Sequence, residues 1–259
     1  MRSASRKIKN IRLPQLVVMV ICVLFGSLLH ACEKLRVVGS DQWIPFAFAK
    51  ESADSLHPTG IAYDVVRLIG QELGIPVQIT IGLPWRRIEL AMDKGTADIL
   101  AGNYWTEERA KRWALSDAFA NDEVRIFVRR ENNFPFNSMS DLIGKRGVMP
   151  AGISLGQEFD SFKHNLDIHE VKLHTQMIDM LALERVDYMI LPLLSGRLKI
   201  KDAGYENALV AKSKAVSVNA VHLSISRQSS CIVLLDRINQ LIEQRKNDGS
   251  IAAIVAAYQ

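Results

Sequence analysis

Thr106, Glu107, Glu108 and Arg109 open the stretch where this chain's chemistry concentrates. Thr106 is placed to N-cap a helix, and the two glutamates suit the positive end of its dipole. Arg109 stands in the same first turn, where a cation is electrostatically disfavoured. A charge set against the local field points to something outside the helix. A guanidinium fork beside backbone N–H groups is suited to a bound anion. The plain alternative is a solvated arginine paired with Glu107 or Glu108. Other chemistry is thin: there is no Walker loop, no zinc-ligand spacing and no G-x-S-x-G nucleophile. His164, His169 and His174 come close together. His169 and His174 are an odd number apart and would face opposite ways beside a strand, so all three read as surface histidines. No catalytic residue, metal or cofactor is expected.

The elements that must position Arg109 alternate. Leu35 to Gly39 reads as a strand, and Ser40 to Phe46 as a loop with two aromatics. Val65, Val66, Leu68, Ile69 and Leu73 follow helical spacing, closed by Gly74 and Pro76. Val77, Ile79 and Ile81 alternate as a strand, and Pro84 opens a helix over Trp85 to Lys94 that Gly95 stops. Ala97 to Ala101 is a short apolar strand ending at a tight Gly102, with Asn103, Tyr104 and Trp105 as a corner. Such alternation argues an α/β fold with a largely parallel sheet. Further on, Val124 to Val128, Arg146 to Met149, Ile168 to Leu173, Tyr188 to Leu191 and Ala215 to Ser226 read as strands. Ser140-Asp141 is expected to cap a single turn. Helices are expected from near Ser154 through Phe162, over Met177 to Glu184, Leu193 to Lys201, Ile232 to Arg245 and Ile251 to Tyr258. LAMDKGTADILAG and MLALERVDYMILP echo one another, as two similar α/β lobes would.

Thr106-x-x-Arg109, then Trp113 and Ser116 to Phe119, resembles the core signature of the type II periplasmic solute-binding proteins, bacterial extracellular solute-binding family 3. This family includes amino-acid-binding components of ABC transporters. The resemblance covers essentially the whole chain after the leader, and the closing NDGSIAAIVAAY is also similar. It implies a two-lobed fold, each lobe a mixed sheet flanked by helices, joined by two hinge strands near Asp122 and Asn219. Residues 33–122 plus 221–259 would form lobe 1, and 123–220 lobe 2. It also implies that Arg109 clamps a ligand carboxylate and that Trp43 stacks on the ligand. Gly102 and Tyr104 sit where relatives often have serines that bond the ligand. Gly152-Ile153-Ser154 matches a Gly-rich turn whose helix amino terminus would hold the same carboxylate. Trp85 and Arg86, at a helix start facing the same strand ends, are candidates for the ligand's far end. One departure is specific: Pro192 occupies the place where amino-acid binders carry an Asp for the ligand's ammonium. A buried ammonium without a carboxylate is costly. Either Asp41 or Asp179 substitutes, or the ligand lacks an α-amino group.

The amino end reads as an export signal over residues 1–31, with Arg2, Arg6, Lys7, Lys9 and Arg12 before an apolar run from Leu16 to Leu29. That run is shorter than the ~20 residues a spanning helix needs. Ordinary cleavage after Ala31 competes with a lipobox-like route that would acylate Cys32, and the first is preferred. The chain has 32 basic and 28 acidic residues. The leader holds five of the basic and none of the acidic ones, so 27 face 28 afterwards. No nucleic-acid footprint survives. Cys32 and Cys231 are either a disulfide, suited to an oxidising periplasm, or a lipidated Cys32 beside a free Cys231.

These readings lead to a monomeric periplasmic protein. It would capture a small anionic or zwitterionic, carboxylate-bearing solute by lobe closure, for an inner-membrane ABC permease or a sensor. The rival is an enzyme on the same fold, similar to the periplasmic cyclohexadienyl (arogenate) dehydratases, with a cleft acid protonating the leaving hydroxyl.

Overall fold

The computed structural model describes residues 32–52 and 55–258. The leader read in the sequence lies outside them. From the amino end run β1 (Leu35–Val38), the short β2 (Gln42–Trp43), β3 (Ala47–Ser52) and β4 (Ser55–Thr59), then α1 (Ile61–Leu73). Next come β5 (Val77–Thr80), α2 (Trp85–Asp93), β6 (Ile99–Tyr104), α3 (Glu107–Arg112) and β7 (Trp113–Leu115). A long β8 (Ala120–Arg129) leads to β9 (Arg146–Pro150), α4 (Gln157–Phe162), β10 (Asp167–Val171) and α5 (His174–Ala182). After β11 (Tyr188–Pro192), α6 (Leu193–Asp202) and β12 (Leu209–Ala211), the equally long β13 (Ser217–Ser226) returns. Helices α7 (Leu235–Asn247) and α8 (Ser250–Ala256) finish the chain.

One sheet runs through both halves in the order β10-β9-β11-β8-β13-β6-β1-β5, with β12 beside β8 and β7 beside β13. Its two flanks, β5-β1-β6 and β10-β9-β11, are parallel, as βαβ crossovers require. The seam between them is antiparallel: β11–β8, β8–β13 and β13–β6. Asp122 and Asn219 face each other in register on β8 and β13, the two long strands of that seam.

Packing follows the sequence pattern. In α1 the residues Ile61, Val65, Val66 and Ile69 are buried, and Gly74 ends it in a left-handed conformation with its N–H on the last carbonyls. Only a glycine takes that φ of 66° cheaply. The second half has its own cluster around Phe127, Val148, Ile178 and Met189. Cys32 and Cys231 form a disulfide, with Cα atoms 4.9 Å apart, tying the amino end to the turn before α7. In that bonded state the Cys32 sulfur has no valence left for a lipid thioether.

Several boundaries differ from the sequence expectation. β6 does not stop at Gly102 but continues to Tyr104, because all six of its residues are buried against neighbours on both sides. The single turn at Met139–Leu142 is capped by Ser138, not Ser140, with Asp141 returning a bond to the Ser138 N–H. Helix α4 starts at Gln157 rather than near Ser154. A 3-10 turn at Ser230–Leu234 takes the first part of the helix expected from Ile232. The hairpin β3–β4 and the strands β7 and β12 were not foreseen. Among the described residues, no helix is long and apolar enough to cross a membrane.

Candidate functional site

A cavity of about 590 Å3 lies between the two halves. Trp43, Trp85, Gly102, Tyr104 and Arg109 line it from one side, and Ile153, Ser154 and Pro192 from the other. Eight of the residues singled out in the sequence therefore meet in one place. Arg86 is exposed on α2 and is not among the lining residues.

Arg109 is positioned by α3. Thr106 is extended and its side-chain oxygen accepts from the Arg109 N–H at 3.2 Å, so the cap expected from sequence is present. The surface pairing does not occur: Glu107 binds Lys111 at 2.6 Å and Glu108 binds Arg112 at 3.2 Å. The Arg109 side chain turns inward instead, and the residue is 9 % exposed. One guanidinium nitrogen donates to the Tyr104 carbonyl at 3.1 Å, and the group lies 5.4 Å from the Trp85 ring centre. No carboxylate of the described residues comes within ion-pair distance of it. Burial pushes the Arg109 pKa down, opposed by the more distant charges of Asp160, Glu89 and Glu108. Removing a charge from water without a paired, hydrogen-bonded partner is expensive, and one carbonyl with one aromatic face offsets only part of that. The remaining N–H groups call for an anion from outside the chain.

Trp43 lies between Phe46, 4.8 Å away, and Tyr104, which it meets edge-on at 5.2 Å between ring centroids. Gly102 has φ +83° inside β6, and a Cβ there would stand 3.1 Å from the Trp43 ring and 3.0 Å from the Ala62 methyl. The glycine thus lets the indole lie directly on the strand. Behind this wall sits Asp122, 4 % exposed. One of its oxygens accepts from Trp43 Nε1 at 3.0 Å and from the Tyr104 hydroxyl at 2.7 Å. Burial drives the Asp122 carboxyl up to about 6, despite those two donors pulling it down. Burial, then the Asp122 charge, holds the Tyr104 phenol well above its ordinary value. Asn103, also in the wall, accepts from Ser224 at 3.0 Å and leaves its buried Nδ2 without a partner.

The opposite wall is built from turns. Ser154 does not cap α4, whose N-cap is Gly156. Its hydroxyl donates to the Asp160 carboxylate and accepts from the Gly156 N–H at 3.2 Å, while Asp160 also accepts from the Leu155 N–H at 3.1 Å. Ser154 therefore shapes the turn in place of the helix end the resemblance implied. Lys172 and His174 also reach the cavity. The His174 imidazole is pushed down to about 4 by burial and by Lys199, so it is neutral near pH 7. His174 is thus not a surface histidine, although the described residues include no metal-binding cluster. Pro192 lines the cavity as part of an apolar β11–α6 junction. Asp41 is the only acidic residue among those lining the cavity; Asp179 is exposed on α5, away from it.

Two side-chain hydrogen bonds join the halves around the cavity: the Glu107 N–H donates to Gln157 Oε1 at 3.0 Å, and Ser195 Oγ to the Ile44 carbonyl. Within the second half, Asn219 Nδ2 donates to the Leu155 carbonyl at 3.0 Å. Sequence reading missed Asp122, Lys172, Ser195 and Asn103. None carries a local signal: Asp122, Ser195 and Asn103 are placed by contacts from distant parts of the chain, and Lys172 looks like any exposed lysine.

A cleft between two α/β halves on a shared, antiparallel seam, with a buried unpaired arginine in its wall, defines a two-lobed solute-binding protein of the type II periplasmic fold. The chain belongs to the bacterial extracellular solute-binding proteins, family 3, whose sequence profile matches residues 35–259. No curated protein matches it significantly. Its fold is similar to a histidine kinase sensor domain that itself resembles periplasmic binding proteins, with TM-score 0.74, 19% identity and coverage of 88% of this chain and 96% of that one. It is also similar to the arginine-binding protein ArgBP of T. maritima, in its P235GK mutant (TM-score 0.71, 21% identity, covering 93% and 99%). A third similar structure is a putative ABC-transporter binding component from Wolinella succinogenes complexed with lysine (TM-score 0.73, 17% identity, covering 87% and 95%).

Proposed function

We propose that this protein captures a small carboxylate-bearing solute, an amino acid or related organic acid, between lobes formed by residues 33–122 plus 221–259 and 123–220. The reading is carried by Arg109, a buried guanidinium in the cavity wall with a single backbone acceptor and no carboxylate partner. Trp43 and Tyr104 supply an aromatic wall for the body of the ligand, and the buried Asn103 amide is a spare donor beside them. From the second lobe, Lys172 and the neutral His174 make no hydrogen bond to described residues and favour an acceptor at the ligand's far end. An ammonium on the ligand would have to reach Asp41, since the β11–α6 junction offers only Leu191, Pro192 and Ser195. On this reading the chain is exported by its leader and works as a monomer outside the inner membrane, in keeping with the extracellular role in the family's description. It would deliver its closed form to an ABC permease or to a sensor; arginine- and lysine-bound neighbours support the first partner, and the kinase sensor domain the second.

A thermal-shift screen of amino acids and organic acids on the purified protein tests this reading. One carboxylate compound is expected to raise the midpoint, and Asp41→Asn to remove the shift only if that compound carries an ammonium. A screen in which only uncharged or purely cationic compounds bind would reject it.

A further inference from the structure

Asp122 is a buried acid that the ligand site as described above does not use. It sits on β8 at the point where Asn219 of β13 lies opposite, between the two halves. It is buried and is not among the residues lining the cavity, yet both its side-chain donors, Trp43 and Tyr104, are cavity wall. Those two rings come from separate strands, β2 and β6, and meet each other only edge-on. The carboxylate oxygen they share is the hydrogen-bond acceptor that ties the two side chains to one point.

We propose that Asp122 is a charge-dependent positioning residue for the ligand site: its ionised carboxylate holds Trp43 and Tyr104 in the wall, and protonation loosens both, weakening ligand binding. This rests on the solute-binding reading given above. A carboxylate is a much stronger acceptor than a neutral carboxyl, so the same two bonds change strength with one proton. The groups facing Asp122 make it the member that titrates. Tyr104 is held protonated by burial and by Asp122 itself. Trp43 has no titratable proton in this range. Glu123, next on the strand, is paired with Arg125. Asn219, opposite, is neutral and gives its amide to Leu155 and Ser217. Arg109 donates to the backbone carbonyl of Tyr104, the residue whose hydroxyl Asp122 accepts from. With Asp122 raised to about 6, the change falls in a range that an exported protein meets.

The test follows the Trp43 indole N–H by NMR on the whole protein from about pH 4.5 to 8, assigned by its loss in Trp43→Phe. A single titration near 6 is expected in the wild type, none in Asp122→Asn, and a higher midpoint in Tyr104→Phe, which removes a donor that stabilises the ionised form. In parallel, succinate serves as a carboxylate probe in calorimetry. Its affinity should fall roughly fivefold on acidification through 6, the difference between a charge-assisted and a neutral hydrogen bond. In Asp122→Asn it should start from the weaker value and change only by the protonation of succinate's own second carboxyl, which is common to both proteins. A flat indole signal in the wild type, or the same titration in Asp122→Asn, overturns the positioning role. Succinate binding whose pH dependence is untouched by Asp122→Asn overturns the link to the ligand. If succinate fails to bind wild type at any pH, the solute reading is what suffers, while the indole signal still decides the role of Asp122. Should Asp122→Asn not fold, the Tyr104→Phe midpoint decides: an unmoved one rejects the proposal.

Discussion

The two walls of the cleft are built differently. The first-lobe wall is made of strand and helix: Gly102 and Tyr104 in β6, Arg109 in α3 and Trp85 in α2, with Trp43 laid flat on the strand and Asp122 bracing it from behind. Its side chains are held in place before any ligand arrives, with the free donors of Arg109 and Asn103 left for the ligand. The second-lobe wall is made of turns, with Ala151 to Ile153 and Lys172 exposed, and only Ser154, Leu155 and Asp160 knotted together. A rigid platform pays the ordering cost once, at folding, and a looser face adapts as the lobes meet. The first wall should therefore hold most of the affinity, and the second should tune which ligand fits.

Mutations can break that contrast. Arg109→Ala should have the largest effect, removing the only buried cation in the platform and costing about 4 kcal/mol, a roughly thousandfold loss by calorimetry. A loss of less than tenfold would move the anchor elsewhere. Asp122 comes next, and its effect on stability has the opposite sign to its effect on binding. Its folded pKa lies above the unfolded 3.8, at about 6, so the associated stability is full below about pH 4 and is lost as pH rises through 6. The size is about 3 kcal/mol at most. Denaturant melts should accordingly find Asp122→Asn more stable than wild type at pH 7 and no different at pH 4. Such a gain in stability with a loss of binding is the usual mark of a strained functional group.

Gly102→Ala should be milder. It forces a side chain into a left-handed backbone and against Trp43, for an affinity loss of about tenfold. Smallest is Lys172→Met in the opposite wall: an exposed charge there is worth at most about fivefold, and mainly for ligands with a distal acceptor. If Lys172→Met cost more than Gly102→Ala, the assignment of platform and tuner would have to be exchanged.

How legible this was varied with the physics of each element. Helix α1 and strand β5 are legible because burial on one face imposes periodicity, and β1 and β11 because each is a short, largely apolar run buried on both faces. Arg109 was legible for a related reason, since a cation in a first helical turn conflicts with its surroundings. The hairpin β3–β4 was not, because most of its residues are polar and exposed and one is Pro58. Gly102 was read as a turn because its left-handed φ, normally a turn's, occurs here inside a strand to admit an indole. Asp122 sits in a stretch, Asn121 to Glu123, that looks like solvated surface; its burial is created by rings some 18 and 79 positions away. Contacts of that span leave no local pattern.

The β8–β13 ladder carries one more implication. Because both passages between the lobes are paired strands rather than loops, they constrain each other. Rotation about the long axis would shear the ladder, whereas folding across the line from Asp122 to Asn219 leaves its bonds intact. Closure of the proposed lobes would then be a swing about one line, as a book opens on its spine.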